Sequence, residues 1–530
     1  AGGGNIATQT AGTSFNIKVT ARDVYNNTVT SFTGVGNTVG ITSTGTLSAG
    51  GGTTATFTSG VLSSHAVTLS NTGSFTITAT RSSGGTQAGT SAAFTVNPGA
   101  VSATASTATV PAGTAGSVTT ITVQAKDASG NNRTNSTGIT AVAASVTGAN
   151  TATPTVTDNS NGTYTLTYTP TASGTDNVAI TMNVGAGAVA ISGSPYSSVV
   201  SAGAVANFLV EATGGGAIGT QVAGTSFNIR ITARDANNNT ATTFTGAGNT
   251  VSLTSTGTLS GSPVTSATFT SGVLASQAMT ITNTGSFTIT ATRSSGGAQT
   301  GTSNSFTVNP GAAATATSQV TANPTSIVAD GVTTSTITVQ LKDANSNNLT
   351  TGGATVTIAT TSGTFTNTVQ DVGNGTYTRI LQSPTSSGSA TVTATVGGSG
   401  ITDDATVTFT PAAATKYIVT SASNPVTAGA SVLITAQLAD ANNNSVLTSG
   451  KTVVWSKSGT GGSFVTPTSL TDANGQAVIA FTVNTAAGTV HTVTATDNTS
   501  LTGTSGNVTS AAGALAKLQL LVPGETAAPG

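Results

Sequence analysis

The sequence predicts an all-β protein built as a tandem array of antiparallel β-sandwiches. Segments of alternating apolar and polar residues recur along the chain, and short turns rich in Gly, Asn and Pro separate them. In one such segment Ile17 and Val19 point to one side while Lys18 points to the other. One apolar and one polar face on each strand is typical of sheets that pack in pairs. No segment shows a sustained helical periodicity.

Internal repeats divide the chain into units of about 100 residues. Residues 1–100 align without a gap with residues 213–312, at a constant offset of 212. A looser repeat, an aspartate followed by an Asn-rich turn, occurs five times at steps of 104, 108, 108 and 97 residues. Its aspartates are Asp23, Asp127, Asp235, Asp343 and Asp440. This spacing is the length of an immunoglobulin-like domain, so we expect five such domains.

Several of these units resemble known domain types. Residues 313–411 contain ADGVTTSTITVQLKDANSN and residues 412–512 contain SLTDANGQAVIAFTV, and both resemble the invasin/intimin-type Ig-like domains of bacteria. Residues 101–203 contain DNSNGTYTLTYTPTASG and ISGSPY and resemble a filamin-type repeat. The resemblance implies a bacterial, extracellular protein of the cell surface, because such modules serve mainly as stalks and spacers there.

The two ends of the chain differ from the repeat in complementary ways. The third predicted domain, residues 204–312, opens with AVANFLVEA (204–212), whereas residues 1–100 start at the Gly-rich run that follows this strand. After the fifth domain comes ALAKLQLLV (514–522), which aligns with residues 204–212. The sequence therefore predicts a domain without its first strand at 1–100 and an orphan first strand in residues 513–530.

Two interpretations of these ends stay open. In donor-strand complementation, segment 514–522 of one copy completes the 1–100 domain of the next copy, head to tail, and covers its open sheet edge. Lys517 and Gln519 then point outward. The predicted donor-strand interface consists of Ala516, Leu518, Leu520 and Val522. In the alternative, the chain is a fragment of a longer array, and further Ig-like domains of the same chain supply the strand.

The composition argues against several partner classes. Charged residues make up 5% of the chain and the formal net charge is −1, so no nucleic-acid partner is expected. No apolar run approaches the about 20 residues of a membrane span, so no membrane insertion is expected within this segment. Because the chain has no cysteine, a disulfide framework, a thiolate metal site and a thiol nucleophile are excluded.

No catalytic residues and no cofactor are predicted. The two histidines, His65 and His491, lie in different predicted domains, and no paired carboxylates, Ser-His-Asp set or phosphate loop can be assembled. The five turn aspartates named above are weak calcium candidates, since carboxylate and amide oxygens suit a hard cation. Each turn has one carboxylate, however, and Asn-rich turns form without a metal. Trp455 is expected to be a core residue.

These observations predict an extracellular structural or adhesive component, a rod or filament of Ig-like domains. The alternative is the stalk of a giant adhesin that binds a glycan or a receptor. A third hypothesis is the accessory region of a secreted polysaccharide-degrading enzyme. Rows of exposed aromatic side chains would favour glycan binding, but only 4% of the residues are aromatic.

Overall fold

A computed structural model describes residues 4–526. These residues form β-strands and no helix, which confirms the all-β prediction. Within this range no helix has the length and apolarity needed to cross a membrane. The strands follow the predicted alternation. In Thr119–Asp127, for example, every second side chain is buried, because successive side chains point to opposite faces of a sheet.

The first domain, in residues 1–100, has strands of two to nine residues arranged in small sheets. They are β1 (Gln9–Thr10), β2 (Phe15–Thr20), β3 (Val39–Ser43), β4 (Leu47–Ala49), β5 (Gly52–Thr53), β6 (Val61–Leu69), β7 (Gly73–Phe75), β8 (Ile77–Arg81), β9 (Ala88–Thr90) and β10 (Phe94–Asn97). The strand orders are β2-β6-β4, β5-β3-β8-β9 and β1-β10-β7. Strand β2 therefore lies at the edge of its sheet.

The second domain, in residues 101–203, has two larger sheets. Its strands are β11 (Val101–Thr109), β12 (Gly113–Thr114), β13 (Thr119–Asp127), β14 (Ala141–Gly148), β15 (Thr155–Asp158), β16 (Thr163–Tyr168), β17 (Gly174–Asn183), β18 (Ala188–Ala190) and β19 (Tyr196–Ser201). The orders are β11-β13-β16-β15 and β12-β19-β17-β14, with β18 beside β17.

The third domain, in residues 204–312, repeats the first and begins with a strand, β20, that has no counterpart among the described residues of the first. Its strands are β20 (Asn207–Ala212), β21 (Gln221–Val222), β22 (Phe227–Arg234), β23 (Val251–Ser255), β24 (Val264–Thr265), β25 (Val273–Met279), β26 (Gly285–Phe287), β27 (Ile289–Arg293), β28 (Thr300–Thr302) and β29 (Phe306–Asn309). The orders are β20-β22-β25, β24-β23-β27-β28 and β21-β29-β26.

The fourth domain, in residues 313–411, again has two sheets. Its strands are β30 (Gln319–Asn323), β31 (Ser326–Val328), β32 (Thr334–Gln340), β33 (Val356–Thr360), β34 (Thr364–Phe365), β35 (Gln370–Asp371), β36 (Thr376–Gln382), β37 (Gly388–Val396), β38 (Ser399–Gly400) and β39 (Ala405–Thr410). The orders are β30-β32-β36-β34, with β35 beside β36, and β31-β39-β37-β33, with β38 beside β37.

The fifth domain, in residues 412–512, has three sheets, like the third. Its strands are β40 (Lys416–Ser421), β41 (Val426–Thr427), β42 (Ser431–Ala439), β43 (Thr452–Lys457), β44 (Ser463–Phe464), β45 (Thr468–Leu470), β46 (Gln476–Thr482), β47 (Val490–His491), β48 (Val493–Asp497), β49 (Thr502–Thr504) and β50 (Val508–Ala511). The orders are β40-β42-β46-β44, β45-β43-β48-β49 and β41-β50-β47. Residues 512–526 form no strand.

The hydrophobic core is divided among the domains. The buried apolar residues of the described chain form five separate clusters, and each cluster lies inside one of the five predicted ranges. In the last four domains the first strand (β11, β20, β30 or β40) pairs antiparallel with the next long strand. In the first domain the equivalent long strand, β2, has β6 as its one partner among the described residues.

Candidate functional site: an open groove in the first domain

The third domain shows what a first strand contributes to this sandwich. Phe208 and Val210 on β20 point into the core and are each 3% exposed. The backbone of β20 pairs with β22 from Asn207, opposite Arg234, to Ala212, opposite Ile229. The ring of Phe208 contacts the rings of Phe244 and Phe269, with centroids 5.4 and 6.1 Å apart. This strand thus completes both the sheet edge and the core.

The first domain has an open groove at the equivalent place. A cleft of about 1070 Å³ runs along β2, and its lining includes the core positions that β20 covers in the third domain. Val19, Phe32 and Ala79 line the cleft and are partly exposed. Their counterparts Ile231, Phe244 and Ala291 are buried. We call this cleft the first-domain groove. It exposes apolar surface and an unpaired strand edge together, a combination that proteins normally cover.

A glycine lies on the opposite wall of the first-domain groove. In the third domain a Cβ on Gly301 would lie 1.7 Å from the carbonyl oxygen of Phe208, so only glycine fits beside β20. Gly503 is placed in the same way, 1.9 Å from the carbonyl oxygen of Tyr417. The equivalent residue of the first domain, Gly89, lines the groove and would meet nothing within 4 Å. Sequence reasoning missed Gly89, although its identity with Gly301 at the offset of 212 was visible.

Segment 514–522 is exposed along its whole length. Leu518 is 88% exposed and Leu520 is 92% exposed, and no residue of the segment belongs to a strand. The alignment with β20 places Leu518 at the position of Phe208 and Leu520 at that of Val210. Their inward placement in a groove stays a prediction, as does that of Val522.

Strand β20 of the third domain does not support an inward position for Ala516. Its counterpart, Ala206, is exposed, because β20 begins only at Asn207. The preceding residue, Val205, packs against the core instead. Leu515, which aligns with Val205, is therefore the better candidate for the third apolar contact.

The Asp–Asn turns lie at the joints between consecutive domains. Asp127, Asp235, Asp343 and Asp440 are 0–1% exposed. In each, Oδ1 accepts hydrogen bonds from the backbone amides two and four residues later, and Oδ2 accepts one from an amide of the linker that enters the domain. The linker donors are Gly99, Gly203, Gly311 and Ala412, at 2.8–3.0 Å. Each aspartate therefore fastens the linker to its own domain.

The asparagine four residues after each of these aspartates reaches the preceding domain. Its Nδ2 donates to the aspartate and also to a backbone carbonyl of that domain. The pairs are Asn131 with Ser70, Asn239 with Thr171, Asn347 with Thr282 and Asn444 with Thr385, at 2.7–2.9 Å. The repeat was visible in the sequence, but its role in joining domains was not, because the carbonyl partners lie about 60 residues away.

These hydrogen bonds determine the protonation of the joint aspartates. Burial raises the pKa of each carboxyl, but hydrogen bonds from the asparagine side chain and from backbone amides outweigh it. The pKa therefore lies below its ordinary value of 3.8 in all four. Since N–H donors already engage both carboxylate oxygens, few lone pairs remain for a cation. Calcium at these turns stays a prediction.

Several other ionisable and aromatic side chains of the fifth domain make structural contacts. His491 is fully buried, and its Nδ1 lies 3.0 Å from the Ser458 carbonyl oxygen. Trp455 is buried, as predicted, and donates from Nε1 to Ser469. Lys451 pairs with the buried carboxylate of Asp497 at 2.9 Å. In residues 4–526 no group of three or more His, Cys, Asp or Glu side chains is arranged to hold a metal ion.

The fold and the site together define a tandem array of Ig-like sandwiches, with an open groove in the described part of the first one. Residues 314–412 match the family described as invasin, domain 3, and residues 95–197 match the filamin/ABP280 repeat. Both predicted resemblances are thereby confirmed for these segments. No curated protein matches the chain.

Several solved structures of bacterial adhesins are similar to parts of the chain. The Yersinia pseudotuberculosis adhesin InvE is 25% identical over 37% of this chain and 60% of its own, with a TM-score of 0.23. Invasin, described as a bacterial integrin-binding protein, is 23% identical over 57% of this chain and 60% of its own, with a TM-score of 0.29. The Escherichia coli adhesin FdeC is 19% identical over 57% of this chain and 96% of its own, with a TM-score of 0.29.

Proposed function

We propose that this protein is an extracellular component of a bacterial cell surface, a rod of Ig-like domains whose copies join head to tail by donor-strand complementation. The match of residues 314–412 to an invasin domain supports the surface location. The observation that carries the assembly is the first-domain groove, whose counterpart in the third domain is filled by β20. The occupant is segment 514–522 of a second copy.

The register of the inserted strand follows from the pairing of β20 with β22. At the offset of 212, Leu518 lies opposite Ala21, Leu520 opposite Val19 and Val522 opposite Ile17. A slip by one residue would turn Lys517 or Gln519 into the groove, so this register is strongly favoured. Each leucine that is buried on insertion contributes about 1.5–3 kcal/mol, and the strand also satisfies the free edge of β2.

The decisive variant is Leu518→Asp in the full chain, with Gln519→Asp as the matched control. Both add one carboxylate to the same exposed segment, but only the first places it in the apolar groove. We expect Leu518→Asp to abolish end-to-end association, measured by sedimentation and electron microscopy, and Gln519→Asp to retain it. Equal association of the two variants would contradict the proposal.

The same measurements distinguish strand exchange between copies from the alternative, in which a longer chain fills its own groove. In that case the full-length protein would remain monomeric, and its groove would contain a covalently continuous strand. Direct observation of the groove in the native assembly separates the two sources, since a strand from another copy reads LQLL and begins after Gly513.

Receptor or glycan binding by the rod is the second candidate function. Invasin itself is described as integrin-binding. A row of aromatic platforms would favour a glycan. Among residues 4–526, Tyr25 is the one aromatic residue that is mostly exposed, at 82%. A single exposed ring does not form such a row.

A further inference from the structure

The turn at Asp23 is built like the four joint turns, but among residues 4–526 it lacks the partners that those turns have outside themselves. Asp23 is exposed, whereas its four counterparts are buried. Its Oδ1 accepts the amides of Tyr25 and Asn27 at 2.9 and 2.8 Å, as in every joint. Its Oδ2 accepts a single hydrogen bond, from Asn27 Nδ2 at 3.0 Å, where the other four also accept a linker amide.

The missing linker amide has a counterpart directly before segment 514–522. Gly203 donates its amide to Asp235 and precedes Phe208 by five residues. Gly513 precedes Leu518 by the same five residues, within the shared sequence Ala-Gly-Ala. A strand inserted in the register described above therefore carries the amide of Gly513 to Oδ2 of Asp23.

Within the described part of the chain the asparagine of the turn, Asn27, has no carbonyl partner of the kind seen in the joints, but the fifth domain contains an equivalent carbonyl. In three of the four internal joints a glycine amide donates to the carbonyl just before the one that receives the asparagine. In the fourth joint the Gly331 amide donates to Ser383 Oγ instead. Gly116 donates to Pro170 before Thr171, and Gly224 donates to Ile281 before Thr282. In the fifth domain Gly429 donates to Asn484, so the equivalent carbonyl is that of Thr485. Among the described residues this carbonyl accepts no hydrogen bond.

The residue two positions after the aspartate also indicates that the Asp23 turn contacts another domain. At three of the four internal joints the residue two after the aspartate lies against a glycine of the preceding domain. A Cβ on Gly116 would lie 3.1 Å from Asn237 Nδ2, and one on Gly12 would lie 3.6 Å from Ser129 Oγ. In the turn at Asp23 this residue is Tyr25, whose exposed ring would be covered by the region of Gly429.

We propose that the Asp23–Asn27 turn is the receiving side of a joint between copies. It binds the Gly513 amide and the Thr485 carbonyl of the copy that donates the strand. This inference rests on the proposed strand exchange and adds a second contact surface to it. The junction between two chains then reproduces the covalent joint between two domains, so successive copies have one defined orientation instead of a flexible tether.

Engineered disulfides test this joint, since the native chain has no cysteine. The full chain carries Tyr25→Cys together with Gly429→Cys, which we expect to form intermolecular disulfides and a ladder of linked chains on a non-reducing gel. The internal pair Gly116→Cys with Asn237→Cys is the matched control, and it should close within one chain, seen as a thiol count of zero. Adding Leu518→Asp to the first pair should remove the ladder.

The outcomes separate the two proposals. If association depends on Leu518 and the internal pair closes, but the Tyr25–Gly429 pair forms no ladder, strand exchange stands and the joint between copies is refuted. If the unmodified chain does not associate, both proposals fail. As a second readout, Asp23→Ala with Asn27→Ala should preserve association but raise its dissociation rate by about tenfold or more, because charge-assisted hydrogen bonds are lost. An unchanged rate would overturn the inference.

Discussion

The first and third domains have nearly the same sequence, but only in the third do the described residues include a first strand, β20. Their cores show what that strand does. Ile231 and Ala291 are 0% exposed in the third domain, while Val19 and Ala79 at the same positions line an open cleft. The burial of a side chain in this fold therefore depends on a segment that the local sequence does not contain.

The largest difference is expected between the two domains in isolation. Excised residues 204–312 should fold alone and melt cooperatively, whereas excised residues 1–100 should be poorly folded or aggregate. The missing strand removes two large core side chains, which contribute about 1.5–3 kcal/mol each. Circular dichroism melting checks this.

A peptide of residues 510–526 sharpens the same comparison. It should restore a cooperative melt to excised 1–100 and leave 204–312 unchanged. Equal stability of the two excised domains without the peptide would remove the case for a missing strand.

Alanine substitutions of the equivalent glycines Gly301 and Gly89 test the wall of the groove opposite β2. Gly301→Ala should destabilise the third domain by about 1–3 kcal/mol, because its methyl group overlaps the carbonyl of Phe208. Gly89→Ala should leave the unassociated chain as stable as before, since nothing lies within 4 Å, yet it should block head-to-tail association. Thermal unfolding and sedimentation measure the two effects. If Gly89→Ala assembles normally, the groove does not receive a strand of this geometry.

The joints between domains should respond to acid in a defined window. The pKa of Asp127, Asp235, Asp343 and Asp440 is lowered in the folded chain, so each contributes stability that is present above the ordinary value of 3.8. That contribution is lost as the pH falls through the lowered folded pKa. We expect the joints to be unchanged between pH 7 and about 5 and to loosen below 3.8, measured by X-ray scattering of the rod and proteolysis of its linkers. Loosening at pH 6 would show that another group controls the joints.

The smallest effects are expected from salt and chelators. Because charged residues make up 5% of the chain, added salt should barely weaken association. Removal of calcium should leave the melting temperature unchanged if the Asp–Asn turns are joints fastened by N–H donors. A fall in the melting temperature with a chelator, reversed by added calcium, would instead assign a metal to these turns.

Much of this architecture could be predicted from the sequence, because its signals are local. Alternation along Phe15–Thr20 and its repeats predicted strands, and the asparagine turns predicted their ends. The recurrence of Asp23 and its relatives predicted the number of domains. The match between residues 204–212 and 514–522 predicts an orphan first strand, which stays a prediction because residues 512–526 form no strand. Period-two alternation and turn chemistry are set by neighbouring residues, so they can be read without coordinates.

Other features were decided only by the tertiary structure. The sequence marked the joint aspartates as turn residues and weak calcium candidates. It did not show that they accept linker amides, or that their asparagine partners donate to carbonyls of the preceding domain. Ala206 looked like a core residue until the start of β20 placed Val205 there instead. The need for glycine at position 301 follows from the backbone of a strand about 90 residues away. Each of these depends on contacts between distant segments, and no local periodicity or propensity encodes such contacts.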